Sequence, residues 1–250
     1  MRKLLSIVLV LAVWIPSARG QMYSGMSGLV HVPSAEMPPE GEAGAGGYYM
    51  HSAMLPSSGV FRYGGKAYGT AAFHLSVTPF RWVEVSYVFT MLKTLAVGHT
   101  RPRYNQKDRY IAVKLNPLRE GKWVPAVAVG ASDFLSSATK RHAGSAETSG
   151  YFSHIYAVVT KHISAGGLRL GASVAWRHSL NGGFRRWHGV AGGITVEPLR
   201  IPGLRVMGEW TGREVNIGAD IVLWRHLRLQ AALVGCSHFS GGIGYRVNLF

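Results

Sequence analysis

Apolar and polar residues alternate along most of the chain, and a period of two is typical of β-strands with two different faces. The clearest stretches are residues 82–92, 167–177, 204–211, 214–223 and 227–236, where apolar side chains share one face and charged or polar ones share the other. This pattern predicts twelve strands. They lie at about residues 43–55, 68–78, 82–92, 108–116, 123–132, 151–161, 167–177, 188–197, 204–211, 214–223, 227–236 and 241–250. In the first and sixth of these strands, apolar and polar residues occur on both faces, so the pattern does not show which face points outward.

Long and short connections alternate between most of the predicted strands. Long connections follow the first, third, fifth and seventh strands, at residues 56–67, 93–107, 133–150 and 178–187. Short connections follow the even-numbered strands, although those after the ninth and eleventh strands are short as well. An even strand number, short turns at one end and longer loops at the other are typical of bacterial outer-membrane barrels with periplasmic termini. We therefore predict an all-β fold: a transmembrane antiparallel up-and-down β-barrel of about twelve strands over residues 43–250, in the outer membrane of a Gram-negative bacterium.

Tryptophan positions agree with this orientation, because indole rings favour the interfaces of a membrane. Three tryptophans lie beside the short turns and three lie near the opposite strand ends. The two sets are Trp82, Trp123 and Trp224, and Trp176, Trp187 and Trp210. The sequence thus predicts two aromatic girdles, one at each end of the barrel.

Two segments precede the first predicted strand. Residues 1–20 carry two early positive charges, a short apolar stretch and small residues before a cleavage point, which is the pattern of a secretory signal peptide. Residues 21–42 contain Pro33, Pro38 and Pro39, which exclude this segment from the interior of a helix or sheet. We expect an irregular lead-in at the periplasmic mouth of the barrel. No apolar run approaches the roughly 18 residues that a transmembrane helix requires.

Three segments of the chain carry a resemblance to a known protein family. Residues 28–35 read Gly-Leu-Val-His-Val-Pro-Ser-Ala and are followed by Gly41, which is similar to the N-terminal signature of the YjbH family of outer-membrane proteins. Residues 75–87 and 115–133 resemble two of its strand and turn segments. The family is linked to export of extracellular polysaccharide. The resemblance therefore implies a barrel that assists export of exopolysaccharide or another envelope component.

The end of the chain resembles the closing strand of outer-membrane barrels, which the barrel insertion machinery recognises. Gly244, Val247 and Leu249 match the pattern of that strand, and the terminal Phe250 lies one step out of phase. These four residues are the predicted insertion signal.

The net charge of +15 indicates anionic binding partners, because a strongly basic chain attracts them. Outer-membrane lipid, lipopolysaccharide phosphates and acidic polysaccharide are the expected partners, whereas no base-reading motif supports nucleic acid. The alternation places five arginines on the lumen face: Arg169, Arg177, Arg205, Arg228 and Arg246. They could form a binding surface for an acidic glycan. Alternatively, and in our view preferably, they pair with Glu84, Glu209, Glu214 and Asp220 to fill a narrow barrel.

The sequence offers little sign of catalysis. His74 and Ser76 share a strand face, but polar packing in the lumen is a better explanation for them than a nucleophile and its base. Histidine spacing predicts no metal site, a single cysteine excludes an internal disulfide, and no cofactor motif is present. We expect a barrel without enzymatic activity. The alternative to export is a structural or adhesive barrel that binds an external partner through its long loops.

Overall fold

The computed structural model describes residues 20–56, 60–95, 98–136, 150–180 and 187–250. The predicted signal peptide lies almost wholly outside these residues, as do most of the predicted loop 133–150 and part of the loop 178–187. The described chain contains fourteen strands and one short 3₁₀ turn at Ser52–Met54. The strands are β1 (Glu42–Met50), β2 (Arg62–Tyr63), β3 (Lys66–Ala67), β4 (Thr70–Phe80), β5 (Val83–Thr94), β6 (Arg103–Leu118), β7 (Ala126–Ser136), β8 (His154–Ala165), β9 (Leu168–Ser179), β10 (Gly189–Pro198), β11 (Leu204–Trp210), β12 (Val215–Leu223), β13 (Leu227–Val234) and β14 (His238–Asn248).

Twelve of the strands, β1 and β4 to β14, form a closed antiparallel barrel. Each strand pairs with its neighbours in the chain, and β14 pairs with β1 to close the ring. The small hairpin of β2 and β3 stands apart in the connection between β1 and β4. The predicted fold class and strand number are therefore confirmed. Among the described residues, no helix has the length and hydropathy needed to cross a bilayer.

The two ends of the barrel differ as the sequence predicts. At the end where β1 begins and β14 stops, the strands are joined by short turns, and we call this the turn end. The longer connections lie at the opposite end, which we call the loop end. β6 begins earlier than predicted, because Arg103 and Tyr104 pair with Thr94 and Lys93 of β5 although their side chains show no apolar alternation.

The strand faces follow the alternation in the sequence. The outward side chains of β5, β9, β11 and β13 are mostly apolar and are exposed or half-buried, with Val174 and Val206 among the accessible ones, while polar residues of the same strands point inward and are buried. An apolar outer face opposite inward polar side chains is the pattern expected of a barrel that crosses a membrane, because lipid would contact only its outside.

Five of the six tryptophans assigned to girdles are exposed, and Trp187 is not. Its ring is buried inside the loop end, where the indole N–H donates a hydrogen bond to the carbonyl of Tyr151 at 2.7 Å. The prediction for Trp187 is wrong, because its ring packs inside the barrel against His31 and His154 and not on the outer wall.

Residues 20–41, which we call the N-terminal segment, lie inside the lumen. Leu29, Val30 and Val32 of this segment are at most 1% exposed and pack with inward side chains of the wall, including Val88 and Met207. The segment is irregular, as expected, with two isolated β-bridges, Gln21 to Ser27 and Gly28 to Pro33. It lies deeper than the periplasmic mouth where we expected it, because the wall supplies partners for its backbone along the lumen.

The N-terminal segment also explains the two strands with mixed faces. β8 turns Tyr156 and Val158 inward to pack in the lumen and Ile155 and Val159 outward, so both of its faces are apolar. β1 turns Gly44 and Gly46 inward together with Tyr48 and Met50, which are buried in the core, and an added Cβ at Gly46 would lie 2.7 Å from the His74 ring. Alternation is lost wherever the interior of a barrel is itself an apolar core.

Candidate functional site

The candidate site is the lumen, where inward side chains of the wall hold the backbone of the N-terminal segment. Glu209 of β11 provides the first contact. Its carboxylate accepts hydrogen bonds from the backbone N–H groups of Val30, His31 and Val32 at 2.9–3.1 Å, and from the side-chain amide of Asn216 at 2.8 Å. Three consecutive N–H groups directed at one carboxylate form an anion-binding nest. The buried charge of Glu209 is thereby satisfied by the segment.

Lys114 of β6 provides the opposite arrangement, a buried cation held by oxygens. Its ammonium group forms a 2.7 Å ion pair with Glu84 and is completely buried. It also donates to the carbonyls of Ser27, Ser34 and Glu36 at 2.7–3.3 Å. Glu84 in turn accepts from the backbone N–H of Ser27 at 2.8 Å. Wall and segment therefore share one network, because the segment supplies the hydrogen bonds that the ion pair of Lys114 and Glu84 leaves unfilled.

The five predicted lumen arginines all lie on strands of the barrel, but they do not line one open surface. Arg205 is fully buried, with 2.7 Å to Asp220, 3.6 Å to Glu36 and a hydrogen bond of 3.1 Å to the carbonyl of Gly28. Arg177 is also fully buried near the loop end, where it donates to the carbonyl of Thr211. These two guanidinium groups are held by the wall and the N-terminal segment.

The other three lumen arginines lie toward the turn end. Arg169 lies 3.4 Å from Glu197, and Arg246 lies 3.5 Å from Glu42. Arg228 is buried and interacts with the charges of Asp220, Arg246 and Glu42 among others. Of the four acids proposed from sequence as arginine partners, Asp220 pairs with Arg205, whereas Glu84 pairs with Lys114 and Glu209 binds backbone.

An aromatic cluster closes the loop end of the lumen. Trp187 stacks on His31 at 5.2 Å between ring centroids and on His154 at 5.5 Å, and Tyr23 and Phe152 complete the cluster. The sequence pattern does not predict this cluster, since its members come from three separate segments. The only available signal was the concentration of apolar and aromatic residues in the irregular N-terminal segment.

A cavity of about 440 Å³ opens at the turn end, between the N-terminal segment and the wall. We call it the turn-end cavity. It is lined by Ala35, Glu36, Met37, Pro38, Pro39, Glu40, Arg81, Asn116, Arg119, Glu120, Ala126, Thr160, His162 and Arg169. Within the described residues, no group of three or more His, Cys, Asp or Glu side chains could hold a metal ion.

At the edge of this cavity His162 of β8 bridges two carboxylates. Its Nδ1 lies 2.7 Å from Glu120 Oε2, and its Nε2 lies 3.3 Å from Glu36 Oε1. Burial of Glu36 raises its pKa, but the hydrogen bond from His162 and the charge of Arg205 outweigh burial and bring the pKa to about 2. For Glu120, burial is likewise outweighed by hydrogen bonds from His162 and Lys161, so its pKa is lowered. Both carboxylates thus stay ionised at neutral pH.

His74 and Ser76 both lie on β4, with the His74 ring buried against the N-terminal segment. Gly25 has a φ of +80°, and a Cβ there would lie 2.5 Å from the imidazole, so only glycine fits this contact. The structure gives His74 a packing role against the segment.

The predicted insertion-signal residues lie along the seam that closes the barrel. Gly244 of β14 pairs with Gly46 of β1, and Val247 pairs with Ala43. Leu249 and Phe250 follow the end of β14 and are exposed. Their role in insertion stays a prediction.

Comparison with known proteins adds three findings. Residues 20–186, more than half of the chain, match the family model YjbH, described as "Exopolysaccharide biosynthesis protein YbjH". None of the curated proteins compared with the chain matches it. Among solved structures, the chain is similar to an outer-membrane channel from Pseudomonas putida F1, with 11% sequence identity and a TM-score of 0.41 over 85% of this chain and 97% of that one. All three segments with family resemblance in the sequence lie within the matched range.

Proposed function

The chain belongs to the YjbH family of exopolysaccharide biosynthesis proteins, and from this premise we propose that it is an outer-membrane barrel that assists export of exopolysaccharide or another envelope component. The family match carries the proposal. It is supported by the closed barrel with an apolar outer band, which suits a protein placed where polysaccharide leaves the cell. Under this proposal the barrel has no enzymatic activity, and its partners are lipopolysaccharide, the insertion machinery and an acidic polysaccharide.

The lumen suggests how such a barrel would work. Because the N-terminal segment occupies the lumen and engages Arg205 and Lys114, the polysaccharide would meet the protein first at the turn end, where Arg169 lies beside an open cavity. With the termini in the periplasm, this end faces the compartment from which polysaccharide arrives.

The export proposal is tested by deleting the gene and measuring secreted polysaccharide. We expect secretion to fall and to return when the wild-type protein is supplied again. The double variant Arg169→Glu with Arg228→Glu should restore less, provided that it inserts. Unchanged secretion in the deletion strain would overturn the proposal.

A structural or adhesive barrel is the second candidate, and one cluster at the loop end favours it. Lys93 lies 5.3 Å from the centroid of Tyr68 and 4.9 Å from that of Tyr104, an arrangement of cation and aromatic rings that suits contact with an external partner. Deleting the loops at residues 93–107 and 133–150 should then abolish surface attachment and leave polysaccharide secretion unchanged.

A further inference from the structure

The turn-end cavity has the size and shape of a small-molecule site. Its volume of about 440 Å³ lies within the range of roughly 300–1,000 Å³ that ligand sites occupy. Residues 35–40 of the N-terminal segment form one side, and the turn after β6 together with β8 and β9 forms the other. Met37, Pro38 and Pro39 provide an apolar surface within a lining that is otherwise mostly polar.

The lining contains three carboxylates and each already has a cationic partner. Glu40 pairs with Arg81 at 3.0 Å. Glu120 pairs with Lys161 at 3.1 Å and with His162 at 2.7 Å. Glu36 pairs with His162 and, at 3.6 Å, with Arg205. The acids of the cavity therefore need no cation from a ligand.

The lining contains more basic side chains than acidic ones. Arg81 and His162 are paired as above, and Arg169 pairs with Glu197 at 3.4 Å. Arg119 lines the cavity, is exposed, and forms no ion pair with any of the described residues. A ligand that enters the cavity thus meets the unpaired guanidinium group of Arg119 beside carboxylates that already have cationic partners. This arrangement favours a ligand with an anionic group and many hydroxyls, because carboxylates accept hydrogen bonds from hydroxyls and guanidinium binds a carboxylate through two parallel bonds.

We propose that the turn-end cavity binds a short segment of an acidic saccharide, with Arg119 holding a sugar carboxylate and Glu40 and Glu120 accepting sugar hydroxyls. The C–H faces of the sugar rings would pack on Pro38 and Pro39. This inference rests on the proposed function and goes beyond it by assigning the binding of the acidic saccharide to the turn-end cavity and to Arg119 in its lining.

The test uses the full-length barrel, purified in detergent, and isothermal titration with trigalacturonate. Maltotriose serves as the uncharged saccharide and inorganic phosphate as an anion without a sugar. The variant is Arg119→Glu. The matched control is Arg200→Glu, which reverses the charge of an exposed arginine in the turn between β10 and β11 at the same end but outside the cavity. Gel mobility with and without boiling verifies that each variant is folded.

We expect trigalacturonate to bind the wild type more tightly than maltotriose, and Arg119→Glu to weaken binding by about tenfold or more, the effect of losing one charge-assisted contact. Arg200→Glu should change binding by less than about twofold, as expected for a screened surface charge. Absence of saturable trigalacturonate binding, an equal loss in both variants, or phosphate that competes as well as the saccharide would each overturn the proposal.

The two proposals fail in different ways. If gene deletion lowers secretion but the purified barrel binds no trigalacturonate, the cavity proposal is wrong and the export function stands. If the barrel binds trigalacturonate through Arg119 but deletion leaves secretion unchanged, the saccharide site stands and the export function is wrong.

Discussion

At the scale of the residue, the lumen depends on buried charges that have partners from both the wall and the N-terminal segment. Lys114→Met removes the cation from a fully buried ion pair and leaves Glu84 uncompensated. We expect the free energy of unfolding to fall by about 3–5 kcal/mol, the usual result of breaking a buried pair from one side. Urea unfolding of the barrel in detergent measures this change.

The double variant Lys114→Met with Glu84→Gln is the control for this pair. Since it leaves no buried charge unpaired, it should recover a large part of the stability lost in the single variant. If the double variant is less stable than Lys114→Met, the ion pair is not the cause of the loss.

Glu209 allows a second residue-scale prediction. Glu209→Gln keeps the shape of the side chain but directs an amide N–H₂ at the N–H groups of Val30, His31 and Val32. We expect a loss of about 1–3 kcal/mol, because a charged acceptor is replaced and donors are left unsatisfied. The same exchange in the exposed pair of Glu40 with Arg81 should cost at most about 1 kcal/mol. Equal losses at the two positions would contradict the role assigned to the nest.

The dependence of stability on pH follows from Glu36. Its folded pKa of about 2 is lower than the ordinary value of 4.5, so its ionised form stabilises the fold above pH 4.5. That contribution is lost as the pH falls from 4.5 towards 2, because the unfolded chain binds the proton first. Glu36→Gln should therefore flatten the decline of the unfolding midpoint in this range relative to the wild type. A decline of the same slope in the Glu36 variant would contradict the assignment.

At the scale of the element, the N-terminal segment is the feature that decides whether the lumen is open. A variant lacking residues 21–37 removes the backbone that Glu209, Lys114 and Arg205 hold. We expect larger conductance steps in planar bilayers for this variant than for the wild type. A synthetic peptide of residues 21–41 should reduce the conductance of the variant. Equal conductance of the two proteins would show that the segment does not control the passage.

The sequence predicts the strands of the barrel well, but it does not predict the packing of the N-terminal segment in the lumen. Strand number and faces follow from alternation, because lipid on one side and polar groups on the other impose a period of two on strands such as β5 and β9. Alternation fails in β1 and β8, whose inner faces pack against the segment. The segment has no period, and its partners, such as Glu209 and Lys114, are about 180 and 80 residues away in sequence. The arginines were correctly placed on strands of the barrel, but nothing in their spacing indicated which would be covered.

At the scale of the whole molecule, closure of the ring by β1 and β14 makes the barrel a single cooperative unit without sheet edges. We expect the protein in the membrane fraction to migrate differently on a gel before and after boiling, since detergent alone does not open a closed barrel. The variant Ile243→Pro should lose this difference, because Ile243 lies in the middle of β14 between its pairings with β1 and β13 and proline disrupts the closing strand. Unchanged mobility of the wild type would contradict the closed barrel.

The enclosed N-terminal segment can also be regarded as a ligand tethered to its own receptor. Because the segment is covalently continuous with β1, its local concentration at the lumen is set by chain geometry, at about the millimolar level for a short tether, and does not depend on how much protein is present. Each contact with the wall can then be weak without loss of occupancy. A free molecule that enters the lumen must compete with this internal ligand and is therefore at a disadvantage unless it first binds outside the lumen.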